Sequence, residues 1–432
     1  VAKALDDSHQ QAHRLTKGVV LSVVPPADSS LFLLPQNRTF RLMNRLWMTI
    51  VGCCWIQLGL ISQPADSLYF QHYVQPLDLE DDSLFESFVM LDSIVEDYQF
   101  FFTAEEHWKT INTQIQFRFL TYLHQKAGVQ TLILEGGYAY GFLINQYLET
   151  GDVRLLRKAL TDIPVCPDDQ QTMYELLYEY NQGLPESERI QVAGIDLEHS
   201  PELALQVMSH LQPTEAPPAA ISKMIVRIKE LHQSRYYDER EVKRFFKRFG
   251  KQLNKKESLY RTYWGTEYDR LNLLVENTLA GYKFGLIKAL VIPNTWQVRE
   301  QQMFHNFLTL QPYFKSGGFY AQFGALHTDI EESLKWEFPS LAHRLNYFQE
   351  SPVSDQVMTI TRYLRKMEEQ YQQMGEGEAT ALQVMVDQVG QRFPDQVVLC
   401  SMIAPSSPFL NLRKNAQFML WISPDLEAET CD

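Results

Sequence analysis

Four short apolar runs of this chain each stop at an ionisable side chain. Asp97–Thr103 is followed by Glu105, Glu106 and His107. Val129–Leu134 is followed by Glu135-Gly136-Gly137. Ile190–Asp196 ends in its own carboxylate with His199 three residues on, and Gly318–Leu326 is followed by His327. A carboxylate beside an imidazole can fix its tautomer and raise its basicity, which suits a general base or a metal ligand. If strand alternation persists that far, Glu105 and His107 share one side and Glu106 takes the other. An acid directly after a buried strand, then two glycines, fits a crevice where backbone approaches a ligand. Each feature alone has a plainer explanation. Glu105 and His107 could be a surface pair, Glu135 a helix cap, Asp196 a turn residue and His327 a satisfied histidine near the sheet edge. Their repetition at four run ends favours a site.

The elements that must position these groups alternate between strand and helix. Thr110–Gly128 carries Ile111, Ile115, Phe119, Tyr122 and Leu123 on one helical face and closes at Gly128. Tyr140–Glu149 is a second helix, and Ser200-Pro201 opens a third with a side-chain cap and a proline at its first position. Further strands are expected at Gln356–Thr361, Gln396–Met402 and Ala416–Ile422. This alternation predicts an α/β fold with a largely parallel central sheet flanked by helices. Parallel strands share their carboxyl edge, where ligands usually bind, so the four endings can converge. Residues 220–292 lack strand signals and read as a helical insertion, or cap, on a single α/β domain spanning 78–432. The basic stretch Lys243–Lys256 within it reads as a solvated amphipathic face, with an anionic surface or ligand as the alternative.

Residues 1–42 show no sustained period and read as an upstream extension. Residues 43–65 begin with Met43, follow Arg38 and Arg41, and contain an uncharged apolar stretch at 46–62. That order reads as a secretory signal, with a membrane tether through 46–62 as the alternative. An exported, periplasmic or extracellular location follows from this expectation. The net charge of −14 argues against a general nucleic-acid partner, and the 45% hydrophobic content against a disordered chain. Beyond the leader only Cys166, Cys400 and Cys431 remain, so no disulfide framework is expected.

Glu105-Glu106-His107, the helix after it and Leu132–Glu135 resemble the opening of erythromycin esterase-like proteins, which belong to a wider superfamily with ChaN-like and TIKI-type members. The similarity continues through Asn145–Asp152, Gly194-Ile195-Asp196, Arg299–Met303 with Asn306, Gly324–His327 and Phe338–Leu345, covering Tyr98 to Thr361 in patches. Ala104 stands where the family has Gly, and the Glu-x-His spacing is closer to the ChaN form. The resemblance implies an ester or lactone hydrolase with His107 as base and Glu105, Glu135, Arg299 and His327 completing the site. Asp196, Trp108 and Tyr138 are expected to contact a small-molecule ester-type substrate. In the mechanism this implies, His107 activates a water and Arg299 or His327 stabilises the oxyanion, with no cofactor required. Two alternatives stay open. One is a hydrolase or protease using a divalent transition metal held among His107, His327, Glu105 and Glu135. The other is a non-enzymatic haem binder.

Overall fold

The apolar runs are rich in Phe, Val, Leu and Ile with few polar breaks, the pattern of strands covered on both faces. They form one eight-stranded sheet: β1 (Val74–Leu77), β2 (Phe100–Glu105), β3 (Val129–Gly137), β4 (Gln191–Asp196), β5 (Gly318–Gly324), β6 (Val357–Arg362), β7 (Val397–Ser401) and β8 (Phe418–Ile422). The spatial order is β1-β7-β8-β6-β2-β5-β3-β4. Every pairing from β8 across to β4 is parallel, and β7 alone runs against both of its neighbours. This computed structural model describes residues 64–431 apart from 81–84, 162–165, 235, 237, 285–292, 332–337, 365–375, 405–406 and 408–415. The expected extension (1–42), nearly all of the expected leader (43–65) and the candidate tether (46–62) therefore lie outside the described residues. No helix among the described residues is long and apolar enough to cross a membrane.

Helices cover both faces. Ile111–Ala127 joins β2 to β3, and Tyr138–Thr150, Val153–Leu160 and Pro167–Gln182 lie between β3 and β4. Pro201–His210 starts as expected, with the Ser200 side chain accepting from the Leu203 N–H. The sheet centre is aromatic: Phe100, Phe102, Phe307 and Phe319 pack ring on ring. Burying one such side chain contributes about 1.5–3 kcal/mol, so this layer ties β2 and β5 to each other and to the helix that carries Phe307.

The described residues of 220–284 are mainly helical, in Ser222–His232, Glu239–Lys255, Glu257–Trp264 and Tyr268–Gly281, and the end of the expected insertion (285–292) lies outside the described residues. In the second of these, Val242, Phe245, Phe246, Phe249 and Leu253 are buried, while Arg244, Lys247, Arg248 and Lys251 face solvent. The basic stretch is thus the polar side of an amphipathic helix. A long helix, Pro293–Leu310, then leads into β5.

Three features depart from the sequence expectation. The folded unit begins before residue 78, with a helix at Pro64–Tyr73 and β1, a four-residue strand containing Pro76 that among the described residues pairs only with β7. Proline is tolerated in a sheet at such an edge and erases the usual strand signal. β7 is antiparallel, a direction that its apolar run Val397–Cys400 does not encode. Cys166 and Cys431 form a disulfide across 265 residues, and Cys400 is free and buried.

The opposite edge is β4. Two asparagines occupy its outward backbone groups. Asn145 accepts from the Val192 N–H and donates to the Val192 carbonyl, and Asn181 does the same at Ile190.

Candidate active site

β5 lies between β2 and β3, with Glu105 in register with Gly324, so the endings of β2, β5, β3 and β4 stand side by side. Glu105, His107, Glu135, Asp196, Arg299 and His327 converge there. His107 Nδ1–H donates to Glu105 Oε1 at 2.7 Å, and the ring is 47% exposed. Its Nε2 makes no hydrogen bond among the described residues and points along the Gly324 backbone. A Cβ on Gly324 would stand 3.1 Å from that nitrogen and 3.5 Å from Glu135 Oε2. Glycine here lets the imidazole and the second carboxylate approach each other across bare main chain.

Glu135 is the hub. Its Oε2 accepts from the Gly324 N–H at 2.8 Å, and its Oε1 accepts from Arg299 Nη2 at 2.7 Å and lies 3.2 Å from His327 Nε2. Burial alone would raise its pKa, but His327 and Arg299 hold it well below the usual carboxylate range. Arg299 is buried and also forms a bidentate pair with Asp196, Nε to Oδ1 at 3.0 Å and Nη2 to Oδ2 at 2.6 Å. Asp196 is almost fully buried. Its carboxylate serves Arg299, and His199 Nε2 approaches it at 3.5 Å. It therefore holds the cation in place, contrary to the expected substrate contact.

Two acids not singled out in the sequence complete the cluster. Glu300 accepts from His327 Nδ1 at 2.5 Å and from the Leu341 N–H at 2.7 Å, and is buried. Burial opposes a charge on His327, yet Glu300 and Glu135 outweigh it and push the ring up to about 10. Glu198 accepts from the Ala139 N–H at 2.8 Å, and burial pushes it up to about 7. Its carboxylate fills the space a side chain on Gly137 would need, and a side chain on Gly194 would collide with the Gly137 carbonyl. The Gly136-Gly137 pair thus makes room for the chain's own groups, Tyr140 and Glu198, in place of the ligand approach expected there.

The charge on His327 ties stability to pH. Its proton stabilises the fold fully below the unfolded value near 6.5, and that contribution is lost as pH rises towards 10. The melting temperature is therefore expected to fall from about pH 7 to about pH 10. His327→Gln should melt lower at neutral pH and lose most of this slope. An unchanged slope in the variant would place the titrating proton elsewhere.

Trp108 is 46% exposed beside His107 and has φ 71°. A bulky side chain in the left-handed region costs about 1–2 kcal/mol, so the surrounding contacts must hold this turn in shape. Tyr138 lies elsewhere than expected. It is buried in the wall of a cavity of about 680 Å³ beside β4, shared with Arg270 and Tyr313, and none of the converging acids or imidazoles lines it. A second cavity, of about 530 Å³ and open to solvent, is lined by Glu198, His199, Glu202 and Glu239 together with Gly281 and Tyr282 of the insertion. It adjoins the cluster through His199 and Asp196.

Glu105, His107 and Glu135 each offer one ligand atom, all within 4.8 Å of one another, a spacing that suits a divalent cation. His327 is not among them, because its ring nitrogens face Glu300, Glu135 and Arg299. The charge around Glu135 works against a dication, since Arg299 and His327 already neutralise that carboxylate.

No protein-family model matches the chain, and no curated protein matches it in sequence. Solved structures do match. A Bacillus cereus protein superposes with a TM-score of 0.59 at 13% identity, covering 82% of this chain and 96% of that one. A variant of the erythromycin esterase EreC in its open conformation gives 0.57 at 12% identity, covering 81% and 96%. A succinoglycan biosynthesis protein gives 0.57 at 14% identity, covering 82% and 95%. At these identities the likeness concerns the fold alone: the chain shares the α/β fold of these proteins, the erythromycin esterase among them, as the resemblance implied.

Proposed function

We propose that this chain is an exported hydrolase that uses His107 as a general base to drive water onto an ester or lactone carbonyl. One observation carries the reading: a half-exposed imidazole whose Nδ1–H is fixed by Glu105 and whose Nε2 faces an ionised Glu135 at the carboxyl edge of the sheet. Fixing Nδ1–H leaves the Nε2 lone pair free to take a proton. A water between Nε2 and Glu135 Oε2 would give one proton to the imidazole and direct the other at the carboxylate. Its oxygen would then attack the carbonyl carbon. Arg299 Nε and Nη2 and both His327 nitrogens are engaged with Asp196, Glu135 and Glu300, so of the two residues Arg299 Nη1, 3.2 Å from His327 Nε2, is the donor with no carboxylate partner among the described residues and the candidate for an oxyanion contact. Both residues also hold Glu135 as an anion. The cavity lined by His199 and Tyr282, which adjoins the cluster at Asp196 but is not lined by His107, has the volume of a small-molecule site. The Cys166–Cys431 disulfide and the leader-like segment at 43–65 support an oxidising, extracytoplasmic location.

The test is hydrolysis of a panel of esters and lactones across pH. The hydrogen bond to Glu105 raises the His107 pKa above its ordinary 6.5. The neutral, basic form grows as pH rises, so turnover is expected to climb through a midpoint above that value. Glu105→Gln removes the largest cause of the shift, so the midpoint should move to lower pH and the plateau should fall about tenfold. A folded protein that hydrolyses no member of the panel at any pH would overturn the reading. A metal-dependent hydrolase is the second reading, favoured by the compactness of Glu105, His107 and Glu135. A divalent metal there would supply Lewis acidity. A stoichiometric transition metal in the purified protein, with activity lost on chelation and restored by the metal, would select it.

A further inference from the structure

We infer that the segment Glu427–Cys431 is a strap that holds the His107 turn in its working shape, and that the Cys166–Cys431 disulfide puts this strap under redox control. The inference rests on the assignment of His107 as the base. The turn between β2 and the helix Ile111–Ala127 has little regular structure of its own, and its Trp108 sits in the left-handed region. The strap satisfies it from outside. Lys109 and Thr430 form an isolated antiparallel bridge. The Thr110 N–H donates to the Glu429 carbonyl, and the Cys431 N–H donates to the Trp108 carbonyl, both at 3.4 Å. Lys109 Nζ donates to the Glu427 carbonyl at 2.5 Å.

A buried arginine anchors both sides. Arg362, at the end of β6, donates from Nη2 to Glu427 Oε1 at 3.2 Å and from Nη1 to Asn112 Oδ1 at 2.9 Å. Asn112 in turn donates to the Glu106 carbonyl at 2.8 Å, immediately before His107. Main-chain groups of Glu106, Trp108 and Thr110 are therefore all held, two of them by the strap itself. Beyond Thr430 the strap is fastened covalently. Cys431 is joined to Cys166, the residue preceding the helix Pro167–Gln182 in the layer covering the sheet.

The switch is a thiol–disulfide exchange with an external dithiol. One thiolate of the reductant attacks a sulfur of the bridge, forming a mixed disulfide and expelling the other cysteine as a thiolate. The second reductant thiol then displaces the remaining protein sulfur. The protein gains two electrons and two protons, and the dithiol leaves as its disulfide. Cys431 is the more exposed partner, so attack begins on its side. With the bridge open, Glu427 keeps its bonds to Lys109 and Arg362, but Glu429–Cys431 lose their covalent anchor and meet the main chain of the turn through two hydrogen bonds of 3.4 Å.

The experiment compares oxidised wild type, wild type treated with excess dithiothreitol, and a Cys166→Ser/Cys431→Ser double variant, below their melting transitions. Amide exchange should accelerate about tenfold or more at Trp108, Thr110 and Cys431 on reduction, with the core amides Phe102 and Ile133 unchanged. On any ester turned over by the oxidised protein, kcat should fall about 10- to 100-fold, because a small misplacement of a base is costly. The double variant should match the reduced protein and ignore dithiothreitol. Unchanged exchange at the turn after confirmed reduction overturns the strap, whether or not an ester substrate is found. Faster exchange with undiminished turnover overturns its control of the site. Absence of any ester hydrolysis counts against the His107 assignment alone, and the exchange data still decide the strap.

Discussion

Replacing His107 by alanine is expected to leave a folded protein whose kcat/KM on ester substrates is about 10²–10⁴-fold lower at the wild-type optimum. The ring is half exposed and bonded only to Glu105 among the described residues, so its loss removes little packing and leaves no deeply buried partner stranded. The melting temperature should change by only a few degrees. That separation between a large kinetic effect and a small stability effect marks a group at the reacting atoms. The measurement is steady-state hydrolysis alongside thermal unfolding. Undiminished turnover in the variant would remove His107 from the chemistry.

Arg299→Met should have the opposite profile. The guanidinium is buried between Asp196 and Glu135; it is the main charge that holds Asp196 below its ordinary range despite burial, and it joins His327 in doing so for Glu135. Methionine matches much of the volume but leaves buried Asp196 without its main counter-charge and Glu135 with His327 alone among its close ones. Removing one partner of a buried pair costs about 3–5 kcal/mol. The loss should be greatest near neutral pH. In the wild type these depressed carboxylates contribute stability above their unfolded values, and that contribution is lost as pH falls through their folded ones. In the variant both acids protonate more readily, so its deficit relative to wild type should shrink in acid. Urea unfolding at about pH 7 and about pH 4 measures this, and an equal deficit at both would argue that packing, not charge, is what Arg299 supplies.

What was legible in the sequence was whatever is encoded locally. Strand ends show as apolar runs stopping at a charge, and Glu105 and His107 meet because they are two residues apart. Their convergence with Glu135, Asp196 and His327 follows from strand direction, since parallel strands finish at one edge. Arg299 was singled out through the resemblance alone. Glu300 was hidden in plain view. It shares a buried helical face with Met303, Phe304 and Phe307, and an acid on such a stripe is the signal that could have found it. Glu198 carries no such mark, because its burial depends on the N-terminus of a helix 59 residues away in the chain. Tyr138 lies one position past the strand, where the turn into the helix re-aims the side chain towards another cavity. The direction of β7 and the pairing of Cys166 with Cys431 depend on tertiary contacts, to which spacing is blind.

The two margins of the sheet bear on how copies of this protein coexist at high concentration. Exposed margins are templates for pairing with another chain, the first step towards fibrils. Here one margin is four residues long and interrupted by Pro76, and along the other the carboxamides of Asn145 and Asn181 already occupy the places an arriving backbone would need. Among the described residues neither side offers a long unbroken ladder at its start. For a polypeptide with this much buried aromatic surface, both features work against polymerising through the framework that holds its chemistry.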